Sequence, residues 1–186
     1  MNVMIVGVGG QGTLLASRIL GNVVIEMGYD VMVSEVHGMS QRGGSVVTYV
    51  KYGDKVYSPI IDKGEADIVL AFEMLEAYRA LPYVKTTGRI IANTQEINPM
   101  PVIIGAAEYP QDIKAKLSDK VSTTFVDAKS LAKEAGNIKA VNVVLLGVMA
   151  KNMDISYDTW IEVIKKTVPQ KLLEVNLKAF DLGYHH

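Results

Sequence analysis

The amino terminus places the strongest local constraint on the chain. Val3 to Val8 is an apolar run broken only by Gly7, and it reads as a strand buried on both faces. Gly7-Val8-Gly9-Gly10-Gln11-Gly12 overlaps its end. Gly12 to Met27 then has helical spacing. Leu15, Ile19, Val23 and Met27 form one i, i+4 row, and Ala16, Leu20 and Val24 form the next. Gly28 follows the last periodic residue as a stop. Gly7, Gly9 and Gly12 thus match G-x-G-x-x-G between a strand and a helix, the setting that gives this pattern meaning. The first glycine makes a tight turn, the second lets a ligand approach the backbone, and the third lets helix and strand pack closely. Free N–H groups at the helix start favour an anion, commonly a phosphate. Gly7, Gly9, Gly10, Gln11 and Gly12 are the candidate cofactor-binding residues. A turn of this shape can equally serve to pack against another chain, and glycine spacing alone weighs the two readings evenly.

Further along, strands and helices alternate. Asp30 to Val36 reads as a second strand and Ser45 to Tyr52 as a third. Gly53-Asp54 reads as a tight turn into Lys55-Val56-Tyr57, which would complete a hairpin. Ala66 to Phe72 is a buried strand, followed by a helix around Glu73 to Leu81 that Pro82 ends. Arg89 to Asn93 and Val102 to Ala106 read as strands separated by an Asn- and Pro-rich turn. Pro110 to Leu117 is a short helix and Thr123 to Val126 a last strand. The remainder is helical. Val141, Val144, Leu145, Val148 and Met149 share one face, Trp160, Val163, Ile164 and Val168 another, and Leu173, Leu177 and Phe180 a third, with Pro169 between the last two. Alternation of this kind implies βαβ units. The expected fold is a single Rossmann-like α/β domain with a mostly parallel sheet, an inserted β-hairpin and a helical C-terminal third. At 186 residues, one domain over 1–186 is the simplest division, and 49% hydrophobic residues suffice for its core.

The segment between the second and third strands is dense in polar groups. Glu35-Val36-His37-Gly38-Met39-Ser40-Gln41-Arg42-Gly43-Gly44-Ser45 begins at the carboxyl end of strand two. That puts it beside the glycine loop, at the sheet edge where α/β proteins hold ligands. Glu35, His37, Ser40, Gln41, Arg42, Gly43 and Gly44 form the candidate substrate or interface loop. Arg42 suits a bidentate contact with a carboxylate or phosphate, or a plain ion pair with Glu35. Gly43 and Gly44 can free backbone N–H groups for an anion, or simply turn the chain. His37 can donate, accept or titrate, although a lone loop histidine is more often only a hydrogen-bonding residue. No catalytic residue is assigned, because no triad is recognisable.

Several chemistries are excluded by counting. The chain has no cysteine, so it can form no disulfide, Cys-ligated iron–sulfur cluster or thiol nucleophile. Of three histidines, His185 and His186 are terminal and are set aside as the kind a purification tag leaves. No metal site is expected. Nineteen Lys and Arg against 20 Asp and Glu leave a net charge of −1, which gives no basic field for nucleic acid. No apolar run is long enough to span a bilayer, and the amino terminus does not read as a signal peptide. The expected location is the cytoplasm.

The two loops together carry a resemblance. GVGGQG followed by SEVHGMSQRGGSV is similar to the gamma-type domain of the 2-oxoacid:ferredoxin oxidoreductases, and the HGMSQRGGSV form resembles the beta subunit of the indolepyruvate type most. Asn142-Val143-Val144-Leu145-Leu146-Gly147 resembles the N-x-x-x-L-G helix of that family. The resemblance extends over essentially the whole chain. It implies oxidative decarboxylation of aryl pyruvates to aryl-acetyl-CoA, with coenzyme A as co-substrate and reduction of ferredoxin. It also implies that thiamine diphosphate and the [4Fe–4S] clusters sit on a large alpha subunit. With no cysteine and no thiamine-type G-D-G…N-N segment, this chain would be the accessory subunit and inactive alone. An isolated chain could self-associate through the surface meant for the alpha subunit. Two other readings rest on the same residues. Gly7, Gly9, Gly12 and Glu35 would suit a free-standing NAD(P)-binding oxidoreductase, and the glycine loop alone a nucleotide-sensing or scaffold domain.

Overall fold

A computed structural model describes residues 1–38 and 43–186. Its centre is a six-stranded sheet in the order β2-β3-β1-β4-β5-β6. β1 (Asn2–Val8) is buried from Val3 onward and sits in the middle, where apolar side chains on both faces are required. It pairs in parallel with β4 (Ala66–Ala71), which pairs with β5 (Val84–Asn93), which pairs with β6 (Ser122–Val126). On its other side β1 pairs antiparallel with β3 (Ser45–Gly53), and β3 pairs antiparallel with β2 (Asp30–His37). Three parallel pairings and two antiparallel ones make the sheet mixed, as the strand pattern implied.

The hairpin lies elsewhere than Gly53-Asp54 suggested. β2 and β3 form it, and Lys55 to Tyr57 is not a strand. Both edges of β3 are taken, by β1 and by β2, so the chain beyond Gly53 cannot pair back onto β3. Asp30 instead holds that segment, accepting from the Val56 backbone N–H at 3.0 Å with Lys55 Nζ at 3.4 Å. A second correction concerns Val102 to Ala106. The β-branched run suggested a strand, but it follows Pro99 and Pro101 and forms the short helix α3 (Met100–Ile103) and a turn. Proline suits a first helical turn, and β5 is already paired on both sides.

Helices cover both faces. α1 (Thr13–Glu26) buries Ala16, Ile19, Leu20, Val23 and Val24, and the chain leaves it through Gly28 at φ +84°. α5 (Ala128–Ala135), α6 (Val141–Ala150), α7 (Tyr157–Thr167) and α8 (Leu173–Tyr184) join α1 on the same side of the sheet. α6 is buried from Asn142 to Ala150, and the rings of Trp160 and Phe180 stack beside it with centroids 5.8 Å apart. α2 (Met74–Ala80) and α4 (Ile113–Ser118) cover the opposite face, packing on Met4, Val6, Val69 and Ile90.

A buried carboxylate organises that second face. Glu73 is 1% exposed and caps α2 by accepting from the Glu76 N–H at 2.9 Å. Its other oxygen accepts from the Ile97 N–H at 3.0 Å and the Tyr109 hydroxyl at 2.7 Å. One side chain therefore closes the base of the segment that carries α3. Burial, and next the bond to Glu73, pushes the Tyr109 hydroxyl above its ordinary value of 10.0. Burial also raises Tyr52, to about 12. Both groups hold their protons more tightly in the folded chain. Their contribution is fully present below the unfolded value and is lost as pH rises through the folded one. Thermal melts taken upward from about pH 8 should fall in midpoint beyond about pH 10, and Tyr109→Phe should remove part of that slope. An identical slope in the variant would contradict this assignment.

Candidate functional site

The glycine loop stands at the carboxyl end of β1, in the middle of the sheet edge. Each glycine has its own physical reason. A Cβ on Gly7 would lie 2.8 Å from Gln11 Oε1 and 3.0 Å from Phe72 Cβ, so this position makes room for the folded-back Gln11 carboxamide. Gly10 is exposed at φ +98° and meets nothing nearby. Gly12 precedes α1 at φ +86°, and a Cβ there would lie 2.7 Å from Asn142 Nδ2. Asn142 donates to the Gly12 carbonyl at 3.3 Å, so the start of α6 holds the start of α1 across 130 residues. No side chain caps α1, which leaves its first-turn N–H groups facing outward. The Gly9 N–H is engaged by the Gly44 carbonyl at 2.9 Å, which ties the two loops together.

The β2–β3 hairpin brings Glu35, His37 and Val46 beside the glycine loop. A cavity of about 340 Å³ is lined by Gly9, Gly12 and Thr13 from the glycine loop and by Glu35, His37 and Val46 from the hairpin. Glu35 accepts from Thr48 Oγ1 at 3.2 Å, and both Glu35 and His37 are exposed. Gly43 has φ +79°, which suits glycine. Ser40, Gln41 and Arg42 lie outside the described residues. Glu35 does not stand where a dinucleotide-binding domain holds its ribose acid. That acid ends the strand next to β1, whereas here β3 fills that place and β2 is one strand further out. The inserted antiparallel strand displaces Glu35 by roughly 5 Å, one strand spacing, which removes the structural basis of the NAD(P) reading.

A second cavity, of about 490 Å³, opens on the other flank of the same loop. Gly10, Gln11 and Gly12 form one wall, and Gln95, Lys129 and Lys139 stand opposite. Lys129 follows the Asp127 cap of α5, and Lys139 lies in the 3₁₀ turn before α6. Two exposed lysines beside the uncapped start of a 14-residue helix make this flank cationic, while the hairpin flank carries Glu35. Sequence reasoning missed both lysines. Their only local signals were the Asp127 cap and the Gly136 stop around α5, which say nothing about a loop more than a hundred residues away.

The comparisons with known proteins bear on this geometry. The model of the pyruvate ferredoxin/flavodoxin oxidoreductase family matches residues 2–186. The chain belongs to that family. Indolepyruvate oxidoreductase subunit IorB of Pyrococcus horikoshii is 45% identical to this oxidoreductase-family chain over 188 residues, covering 98% of it and 93% of the relative. Among solved structures, pyruvate oxidoreductase subunit PORC of Thermotoga maritima superposes with a TM-score of 0.78 at 18% identity, over 100% of this chain and 96% of that one. The 2-oxoglutarate:ferredoxin oxidoreductase of Magnetococcus marinus matches with a TM-score of 0.77 at 20% identity, over 100% of this chain but 30% of that one. There the same fold is one portion of a longer polypeptide.

The chain has no cysteine, and among the described residues no group of three His, Asp or Glu could hold a metal ion. An iron–sulfur cluster does not fit this family member on its own. No described helix is long and apolar enough to cross a membrane.

Proposed function

We propose that this chain is the accessory subunit of an indolepyruvate-type 2-oxoacid:ferredoxin oxidoreductase, and that its glycine loop completes the coenzyme A site at the interface with a large subunit. The relatives support the enzyme class, and the cationic cavity beside Gly10 to Gly12 carries the assignment of the loop. Coenzyme A presents a diphosphate and a further phosphate. Outward N–H groups of α1 suit the diphosphate, and Lys129 and Lys139 add charge without filling the cavity. The aryl pyruvate and the electron carriers belong to the large subunit in this reading, as do thiamine diphosphate and the clusters. The Glu35 to Gly44 loop meets the large subunit or the substrate at the hairpin flank. The assembly passes its electrons to ferredoxin and works in the cytoplasm.

The test is the assembled complex. Lys129→Ala combined with Lys139→Ala should raise KM for coenzyme A roughly tenfold, with a weaker effect at high salt because both groups are exposed. KM for the 2-oxoacid should stay within about twofold of its starting value. An unchanged KM for coenzyme A at low salt would remove the lysines from the site. Turnover by the isolated chain with NAD(H) or NADP(H) would overturn the subunit reading itself.

A further inference from the structure

The carboxamide of Gln11 is the best-connected polar group in the glycine loop, and its contacts run inward. Its Oε1 accepts from the Val8 backbone N–H at 2.7 Å. Its Nε2 donates to the Phe72 carbonyl at 3.1 Å and lies 3.4 Å from Gln95 Oε1. Val8 ends β1 and Phe72 follows β4, so one side chain bridges the gap between two neighbouring strands at the sheet edge. The same carbonyl of Phe72 also accepts from Asn93 Nδ2 at 3.0 Å, which fixes the acceptor from the β5 side. Gln95 is held in turn, because its carbonyl accepts from the Met74 N–H at 2.9 Å. The Gln11 backbone N–H returns to the Val8 carbonyl at 3.2 Å, so side chain and main chain close the turn together.

We infer that Gln11 is a positioning residue that sets the shape of the glycine loop, and through it the cavity facing Lys129 and Lys139, without itself bonding the ligand. Both N–H donors of the carboxamide are spent on the protein, so donating to an anion would require breaking one of these bonds. Without them, the segment from Gly9 to Gly12 would be held only through its main-chain atoms, by the bonds to Gly44, Val8 and Asn142, and its glycines permit many conformations. The pin would then act on how well the cavity receives an anion, not on the chemistry that follows. This inference rests on the proposed coenzyme A site.

The test uses the assembled complex and two variants, Gln11→Ala and the isosteric Gln11→Glu. Gln11→Ala should raise KM for coenzyme A roughly tenfold and leave kcat within about twofold. Gln11→Glu keeps an acceptor for Val8 but turns a carboxylate towards the Phe72 carbonyl and Gln95. Its defect relative to the unaltered complex should shrink as pH falls, because a protonated carboxyl regains the lost donor. A merely structural role would instead lower the melting point and kcat together and show no such recovery. The inference is overturned if both Gln11 variants leave KM unchanged while the lysine pair raises it, and the coenzyme A reading then stands. If the lysine pair also leaves KM unchanged, the site reading fails and takes the inference with it.

Discussion

Gly147→Ala should cost the fold about 3 kcal/mol or more, the upper range for overpacking a core. α6 and α8 cross with their backbones in contact. A Cβ on Gly147 would lie 2.2 Å from the Phe180 carbonyl oxygen and 2.8 Å from the Tyr184 nitrogen. The relation is reciprocal, since a Cβ on Gly183 would lie 2.0 Å from the Val144 carbonyl oxygen. These neighbours are backbone atoms within helices, so no rotamer change can make way. α8 would have to move outward, and Phe180, fully buried against Trp160, would move with it. For a chain of this size about 3 kcal/mol is a fall of roughly 6–12 °C in Tm. Calorimetry on the isolated chain checks it. A melting point within a degree or so of the starting protein would mean that the two helices do not touch as described.

Glu73→Ala should be nearly as damaging, for an electrostatic reason. The change removes the α2 cap, worth about 1 kcal/mol, and leaves the Ile97 N–H and the Tyr109 hydroxyl without their acceptor. An orphaned buried donor costs about 1–3 kcal/mol. The expected loss is about 3 kcal/mol in total. It should appear first as faster hydrogen exchange at the Ile97 amide, because that bond closes the base of the α3 segment. Met100, Ile103 and Ile104, all more than 60% exposed, sit on that segment and would be released with it. Unchanged protection at Ile97 would refute the role given to Glu73.

Much of the fold was legible because its signals are local. Apolar runs marked β1 and β4, i, i+4 rows marked α1 and α6 to α8, and Gly28 and Pro169 punctuated them. The errors have one cause. Lys55 to Tyr57 and Val102 to Ala106 had acceptable strand composition, but the strand that precedes each, β3 or β5, is already paired on both sides. Composition describes what a segment tolerates, whereas pairing depends on which edges remain open.

The candidate site divides the same way. Gly7, Gly9 and Gly12 could be read from spacing, and Glu35 and His37 from their place at the end of a strand. The role of Gly12 could be read only in part. Its positive φ is a local matter, but its contact with Asn142 spans 130 residues.

The sequence by itself determined the strand–glycine–helix opening, the α/β class, the family, and the absence of any cysteine to hold a cluster. Each depends on residue identity or short-range spacing. Tertiary structure alone decided that β3 stands between β1 and β2 and that the Gln11 carboxamide turns inward. It also brought Lys129 and Lys139 to the loop and set α6 against α8 at Gly147 and Gly183. Those outcomes depend on contacts between segments far apart in the chain, which arise only once the sheet edges are filled and the helices have packed on its faces.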